Sequence, residues 1–271
     1  MSLLFAAALA AAAPAVTECA PLPGLEPVMA RADLKFLLIG EYHGTVEMPG
    51  VAGDALCAAV ATGRPVILGI EFPPANQPQL DAYLASDGGT EARTALLAAP
   101  AWAEEGGRTT EAILALIERG RQLARVGRPV TIVAFDRIPA PTLSAEREAG
   151  LAAGLANAQM RVPGSLVVAL TGLGHADKEG WISQSPPFLA AGGLLPGAHT
   201  VSLAFARPGG QYWGCHAANG DRTQGCTAYD MPPREPVPAR GIRLDPTLRS
   251  GFDGVYSHGG TYTASPPARG R

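Results

Sequence analysis

Short apolar runs that end in glycine or polar residues recur along the first three-quarters of the chain. The first run, residues 36–39 (FLLI), stops at Gly40 and is followed by a group of polar side chains. Uninterrupted apolar runs of this length, bounded by glycine or proline, are typical of buried strands. The pattern predicts five such strands, at residues 35–40, 65–71, 129–135, 165–171 and 200–206.

Segments with apolar residues at helical spacing lie between these strands. They predict helices at about 50–62, 110–126 and 143–159, two short helices within 77–99, and another near 187–195. Strands that alternate with helices form right-handed βαβ units, which place the strands side by side and parallel. The predicted fold class is therefore α/β, with a mostly parallel sheet flanked by helices.

The pattern changes at about residue 208. Short runs at 211–215, 242–244 and 254–256 lie among prolines and glycines, without helical spacing between them. We interpret residues 208–271 as an irregular, β-rich C-terminal cap packed on the same domain. Because the chain shows neither an internal repeat nor a separate linker, residues 16–271 are predicted to form a single domain.

Composition and charge narrow the class of protein. Hydrophobic residues make up 47% of the 271 residues and charged residues only 17%, which predicts a sizeable core. The formal net charge is −3, and no basic stripe is present. These features argue against nucleic acid as the main partner. The expected partner, inferred from the strand-end pocket described below, is a small-molecule substrate or ligand.

The N-terminus predicts export. Residues 2–13 form a short alanine-rich apolar run, and residues 13–15 (APA) fit a small-residue cleavage site. The run is too short to span a bilayer, so no membrane span is expected. We interpret residues 1–15 as a signal peptide; the alternative is an alanine-rich N-terminal helix.

The cysteines point to the same compartment. The chain has four, with no C-x-x-C motif, which suits a pair of disulfides in an oxidising compartment. The most local of the three connectivities joins Cys19 to Cys57 and Cys215 to Cys226. Four unrelated buried thiols are the alternative. Together with the N-terminal run, the cysteines predict a periplasmic or secreted protein.

Polar side chains follow four of the predicted strands. Because the carboxyl ends of parallel strands meet at one edge of a sheet, and open α/β sheets bind ligands there, we expect these side chains to converge. The predicted catalytic residues are Glu41, His43, Glu71 and His175. The predicted outer, substrate-binding residues are Arg108, Asp136 and Glu47.

Several of these residues also have a structural interpretation. Glu41 could be a solvated or capping carboxylate at a strand end. Glu47 lies just ahead of a predicted helix, where a carboxylate is favourable on electrostatic grounds alone. Arg108 could simply bridge a carboxylate. Glu71 is different, because it follows an apolar run and a charge there needs a partner.

Two kinds of chemistry could use the Glu/His set. In the first, His43, Glu71 and His175 hold a divalent metal for metal-assisted hydrolysis. In the second, a histidine paired with a carboxylate acts as general base on water, and Arg108 steadies an anionic substrate or intermediate. The chain contains no H-E-x-x-H, G-x-S-x-G or P-loop motif. A zincin, an ordinary serine hydrolase and a nucleotide-dependent enzyme are therefore disfavoured.

The strand-end motifs resemble those of a known superfamily. They are G-E-x-H at 40–43, a strand-two glutamate at Glu71 and G-x-x-H at 172–175. These motifs are similar to those of the superfamily that contains erythromycin esterases, ChaN-type haem-uptake proteins and Tiki-type metalloproteases. The resemblance extends over about residues 35–206 and leaves the C-terminal cap outside.

The branches of this superfamily imply different activities. Similarity to the esterases implies attack of water promoted by His43, with Glu41 and Glu71 nearby. Similarity to the Tiki branch implies a metal at His175 and the glutamates, and similarity to ChaN implies haem or iron handling. The resemblance thus implies a fold and a pocket rather than a substrate.

Two functional hypotheses follow. The first is an exported hydrolase, metal-assisted or metal-free, that acts on an ester or amide through the Glu/His pocket. The second is a non-catalytic binding protein for haem, a metal or another small ligand. The expected cofactor is a divalent metal, with haem as the alternative. Tyr42 and His43 are the candidate axial ligands for a haem.

Overall fold

A seven-stranded sheet runs through the protein. The structure is a computed structural model that describes residues 19–137, 143–216 and 225–269. Its strands are β1 (Phe36–Glu41), β2 (Val66–Ile70), β3 (Val130–Ala134), β4 (Leu166–Gly172), β5 (Thr200–Phe205), β6 (Gly210–Gly214), β7 (Thr227–Met231), β8 (Gly241–Arg243) and β9 (Gly254–Ser257). The order in the main sheet is β3-β2-β4-β1-β5-β9-β8, and every neighbouring pair is parallel except β8 and β9.

Helices cover both faces of this sheet. They are α1 (Glu26–Met29), α2 (Glu47–Ala61), α3 (Gln77–Ala85), α4 (Thr90–Leu97), α5 (Glu111–Arg125), α6 (Ala145–Arg161), α7 (Leu173–Ala176) and α8 (Ala191–Leu194). Alternate residues of a strand point to opposite faces. In β1, Leu37 and Ile39 pack in the core formed with α2 and α5, whereas Phe36 and Leu38 pack in the core formed with α6. Burial on both faces explains the uninterrupted apolar runs in the sequence.

The segments predicted as strands are strands in the structure, and those predicted as helices contain helices. All five predicted strands are present with ends within one residue of the prediction, and the region 77–99 contains two short helices as expected. The largest differences are in two helices. α2 begins three residues earlier than predicted, at Glu47, and the helix expected near 187–195 is only the four-residue α8.

The C-terminal region is β-rich, as predicted, but much of it belongs to the main sheet. β9 pairs in parallel with β5, and β8 pairs with β9 in antiparallel fashion. β6 and β7 form a separate antiparallel hairpin. Strands of three to five residues interrupted by glycine have too little periodicity to indicate which sheet they join.

Polar groups from neighbouring segments cover the open edges of the sheet. At the β3 edge, Gln77 donates to the carbonyl of Ile132 at 2.9 Å and accepts from the N–H of Ala134 at 2.8 Å. At the opposite edge, the Ile242 N–H donates to the carbonyl of Pro23 at 2.7 Å. These contacts satisfy backbone groups that could otherwise pair with another chain.

Two disulfides are present, as predicted, and they join Cys19 to Cys57 and Cys215 to Cys226, the most local of the three connectivities. Their sequence separations are 38 and 11 residues. Loop-closure entropy for such separations corresponds to about 3–4 kcal/mol of stabilisation each. Within the described residues, no helix combines the length and apolarity required to cross a membrane. The predicted signal peptide, residues 1–15, lies outside the described residues.

Candidate active site

The strand order brings the predicted polar residues to one edge of the sheet. Glu41 ends β1 and pairs in register with Gly172 at the end of β4. Glu71 directly follows β2, which is the neighbour of β4 on its other side. His175 lies in α7, immediately after β4. Residues from three adjacent strand ends therefore meet in one cluster, with Asp136 arriving from β3.

Glu71 is the centre of this cluster. Its Oε2 accepts from the Thr171 hydroxyl and the Gly172 N–H, both at 2.8 Å. Its Oε1 accepts from Arg147 at 3.1 Å and from Arg108 at 3.4 Å. The side chain is buried, so four donors replace the water that the carboxylate has lost.

The charge of Glu71 is strongly stabilised. Burial by itself would raise its pKa, but His43, His175 and Arg108 oppose this, and the pKa falls to about 2. Imidazoles are cations in the acid range where a carboxyl group titrates, which is why both histidines contribute. Glu71 is thus ionised at any pH near neutrality.

Arg147 joins Glu71 to the rest of the cluster. Its Nη2 donates to Glu71 and, at 2.9 Å, to Asp136 Oδ2, while its Nη1 lies 3.0 Å from His175 Nε2. The Ser144 hydroxyl accepts from the Arg147 N–H at 3.2 Å and caps α6. This cap fixes the first turn of α6, from which Arg147 reaches the site.

The contacts of His175 determine its tautomer. Its Nδ1 lies 2.7 Å from Glu148 Oε1, and its Nε2 faces the Arg147 guanidinium. Because a guanidinium can only donate, Nε2 must be the unprotonated acceptor and Nδ1–H must donate to Glu148. The lone pair of Nε2 is therefore occupied. His175 is built into the cluster rather than open to a substrate.

Glu148 is fully buried and has three donors. Besides His175, its carboxylate accepts from the Ala191 N–H at 2.9 Å and the Trp181 indole N–H at 3.3 Å. We refer to Glu71, Asp136, Arg147, Glu148 and His175 as the inner network.

The predicted site included neither Arg147 nor Glu148. The sequence feature that could have identified them is their position on the apolar side of α6, four residues before the buried Leu151 and Ala152.

His43 has a different environment. Its Nδ1 lies 2.8 Å from Glu41 Oε1, and its Nε2 lies 4.0 Å from Glu71 Oε2. No hydrogen-bond partner of Nε2 is present among the described residues, and 31% of the side chain is exposed. Burial would lower the pKa of His43, but the charges of Glu41 and Glu71 outweigh it and raise the pKa.

The backbone between the histidines requires glycine. A Cβ atom on Gly172 would lie 3.1 Å from His43 Nε2 and 3.3 Å from His175 Cδ2. Any larger residue would push the imidazoles away from Glu71. The glycines of the predicted G-x-x-H motif thus include one that the close approach of the site residues demands.

A cleft of about 610 Å³ opens above His43. Its walls are largely aromatic, with Tyr42, Trp181, Tyr212 and Trp213 among the lining residues. Tyr212 and Trp213 belong to β6, whose hairpin with β7 is closed by the Cys215–Cys226 disulfide. The C-terminal region therefore supplies one wall of the cleft, a role that its sequence did not indicate.

The three predicted outer residues occupy different places. Arg108 is partly exposed and approaches Glu71 and Asp136, the latter at 3.7 Å. Asp136 is buried and has one oxygen, Oδ1, without a hydrogen-bond partner in the described part of the chain. Glu47 accepts from the Thr263 N–H at 2.9 Å and does not line the cleft. Its observed contact anchors the C-terminal segment to the start of α2.

The arrangement does not fit the predicted metal set of His43, Glu71 and His175. Both oxygens of Glu71 are engaged by donors, and the Arg147 guanidinium lies where a metal on His175 Nε2 would have to be. Among the described residues, no group of three or more His, Cys, Asp or Glu side chains is arranged to hold a metal ion. We therefore derive the chemistry of the site from its side chains.

Comparison with known proteins supports the fold. No family model matches the chain, and no curated protein sequence matches it. Among solved structures, a succinoglycan biosynthesis protein is similar over 91% of this chain and 93% of its own, with a TM-score of 0.62 and 13% identity. A protein from Bacillus cereus is similar over 82% of this chain and 76% of its own, with a TM-score of 0.51 and 14% identity.

Both solved structures therefore share the overall fold of this chain over most of its length. Identities of 13–14% show a common architecture and do not carry a substrate from one protein to another. The function must therefore be argued from the site itself.

Proposed function

We propose that the protein is an exported hydrolase of an ester or amide in which His43 is the general base. The observation that carries this proposal is the contrast between the histidines. Both have Nδ1 against a carboxylate, but only His43 has an Nε2 that is free of hydrogen bonds among the described residues and borders the cleft. A histidine oriented by a carboxylate is a standard general base.

In this mechanism Glu41 orients His43 and fixes its tautomer. Nδ1–H donates to Glu41 Oε1, which leaves the lone pair of Nε2 to take a proton from water. The second oxygen, Glu41 Oε2, is buried and has no hydrogen-bond partner within the described residues.

The charge balance of the site selects the substrate class. Four carboxylates, Glu41, Glu71, Asp136 and Glu148, face the two guanidiniums of Arg108 and Arg147. An excess of negative charge disfavours a substrate that is already anionic at the reacting group. We therefore expect a neutral ester or amide, with apolar groups contacting the aromatic walls of the cleft.

We assign stabilisation of the developing oxyanion to Arg108, which contacts Glu71 and Asp136 and does not itself line the cleft above His43. It is partly exposed, and its contacts to Glu71 and Asp136 are long, at 3.4 and 3.7 Å. Arg147, in contrast, is committed to the inner network. A guanidinium that acquires a better acceptor only as negative charge develops favours the transition state over the ground state.

Export is supported by the two disulfides, because such bonds persist in oxidising compartments. The alanine-rich start of the chain adds to this support. A periplasmic or secreted location follows from the proposal. N-terminal mass spectrometry of protein from the native host tests it: the mature chain should begin near residue 16.

The hydrolytic proposal is tested with a panel of chromogenic esters and amides of increasing apolar size. We expect His43→Gln to lower kcat/KM by about 10²–10⁴, the usual contribution of a general base. His199→Gln, which changes a histidine in a distant exposed ion pair with Asp33, is the matched control and should retain full activity. Equal activities of the two variants would contradict the assignment.

The pH profile provides a second measurement. Because the base must be unprotonated and the pKa of His43 is raised, kcat/KM should rise with pH through a pKa above 6.5. Metal analysis of the active protein separates this mechanism from the metal-assisted alternative. If activity required a stoichiometric zinc or manganese ion, the metal-free mechanism proposed here would be wrong.

A ligand-binding role is the second candidate, and the aromatic cleft is the observation that favours it. Tyr42 and His43, the candidate axial ligands for haem, both line this cleft. Tyr42 is 41% exposed and its ring packs 4.5 Å from that of Tyr212. The absorbance spectrum of the purified protein, before and after addition of haem, tests this role. A Soret band that His43→Ala abolishes would favour the binder.

A further inference from the structure

A second pocket lies beside β5 and β9. It has a volume of about 560 Å³ and is lined by residues of β5, β8 and β9, of the segment that follows β5 and of the loop between β8 and β9. Four arginines border it: Arg207, Arg234, Arg243 and Arg249. We call this cavity the arginine pocket. The protein as a whole carries a net charge of −3, so this concentration of positive charge is a local feature.

The arginines of this pocket form no ion pairs within the part of the chain that the structure describes, although the charges of Asp177 and Glu235 are felt at Arg249. One carboxylate, Glu235, borders the pocket, but it accepts from the backbone N–H of Arg207 at 2.5 Å. It therefore holds the loop in place and leaves the guanidiniums free.

The pocket is held in shape by backbone and ring contacts. The carbonyl of Arg207 accepts from the N–H groups of Arg234 and Glu235, at 2.8 and 3.3 Å. The Arg249 guanidinium lies 5.8 Å from the ring centres of both Phe205 and Phe252. Cation–π contacts of this kind orient the guanidinium plane without neutralising its charge.

The electrostatics of Arg249 agree with this description. Burial lowers the pKa of Arg249, and the neighbouring charge of Arg207 lowers it further. The more distant charges of Asp177 and Glu235 act in the opposite direction but do not reverse the shift in the pKa of Arg249. An anion bound between the two arginines would remove the repulsion.

We propose that the arginine pocket binds a small molecule through a phosphate or sulfate group. Guanidiniums match the tetrahedral oxyanion because each can donate two parallel N–H bonds to it. The apolar wall formed by Phe205, Leu248 and Val255 would contact the organic part of a monoester. This pocket is separate from the cleft above His43, so the proposal does not depend on hydrolysis.

The test is isothermal titration calorimetry of the full-length protein at constant ionic strength, with inorganic phosphate and with phenyl phosphate. We expect saturable 1:1 binding of both. Tighter binding of phenyl phosphate would identify a monoester as the ligand class, and equal affinities would identify the free oxyanion. No saturable binding up to about 20 mM of either, well above the millimolar range of weak ligands, would overturn the proposal.

Variants locate the site. Arg249→Gln and Arg207→Gln should each weaken binding at least tenfold, and the double variant should abolish it. Arg128→Gln, which removes one charge from an exposed arginine far along the chain, is the matched control and should bind as the wild type does. If Arg128→Gln and Arg249→Gln lost phosphate affinity equally, binding would depend only on the net charge of the protein. That result would overturn the proposal.

Arg243→Gln provides a further test if Arg249→Gln fails to fold, because Arg243 is exposed at the rim and has no ring contact among the described residues. It should weaken phosphate binding severalfold while its melting temperature stays unchanged. Undiminished binding in both Arg243→Gln and Arg207→Gln would overturn the assignment.

Discussion

The inner network and the arginine pocket both border the main sheet, but ion pairs join the residues of the inner network, whereas the pocket arginines form none within the described residues. In the inner network, Glu71, Arg147 and Glu148 are buried and engage one another or neighbouring donors at 2.7–3.1 Å. In the arginine pocket the guanidiniums face a cavity without a partnering carboxylate among the described residues. Carboxylates that already have protein donors, such as Glu71 and Glu148, are part of the fold, whereas guanidiniums without a protein acceptor are available to a ligand.

His43 is intermediate between these two cases. Its Nδ1 is held by Glu41, as in the inner network, but its Nε2 is open to the cleft. A catalytic base needs both properties, because its orientation must be fixed and its reacting atom must be accessible. The comparison therefore separates residues that hold the site from the residue that acts in it.

The largest expected effect is the loss of the inner network. Glu71→Gln would place an amide N–H₂ against existing donors and leave Arg147 with a weakened partner. Breaking a buried, hydrogen-bonded charge pair costs about 3–5 kcal/mol of unfolding free energy, or on the order of 10 °C in melting temperature for this size. Thermal melts measure it, with Glu111→Gln, an exposed ion-pair residue, as the neutral control. A stable Glu71→Gln protein would show that the network does not support the fold.

The second largest effect should be a difference between the substitutions of His43 and His175 in activity and in melting temperature. We expect His43→Ala to lower activity by about 10²–10⁴ with little change in melting temperature. His175→Ala should lower both, because it leaves the buried Glu148 without its closest donor. If the two act as a unit, the double variant should be scarcely less active than either single variant. Additive losses would indicate independent roles.

Acid should destabilise the protein through Glu71. The pKa of Glu71 is lowered from 4.5 to about 2, so its contribution to stability is present above pH 4.5 and is lost as the pH falls towards 2. The shift corresponds to roughly 3 kcal/mol. Chemical unfolding at a series of pH values measures this loss, and a variant without the Glu71 carboxylate should show less of it. If that variant lost as much unfolding free energy in acid as the wild type does, groups other than Glu71 would be responsible for the loss.

The smallest expected effect on stability concerns the arginine pocket. Arg249→Gln should lower the unfolding free energy by no more than about 1 kcal/mol, since it removes the cation–π contacts with Phe205 and Phe252 but no ion pair, and it relieves the repulsion with Arg207. Added phosphate should raise the melting temperature of the wild type but not of this variant. A large destabilisation by Arg249→Gln alone would make this arginine a structural residue like Arg147.

Local sequence determined the elements and the strand-end residues of this protein. Apolar runs bounded by glycine and proline sufficed for all five predicted strands, because a strand buried on both faces cannot tolerate polar residues. The parallel order then required Glu41, Glu71 and His175 to meet at one edge, since the carboxyl ends of parallel strands are adjacent. The helix that starts after Ser144 followed from its cap.

Only the tertiary structure decided which of these side chains are hydrogen-bonded to one another and which remain accessible from the cleft. Arg147 reaches Glu71 across 76 residues of sequence and also contacts His175 Nε2, and this second contact distinguishes the committed His175 from the available His43. The β6–β7 hairpin reaches the cleft from outside the βαβ region. Local periodicity reports which face of an element is buried, but pairing between distant charges depends on distances that packing alone sets.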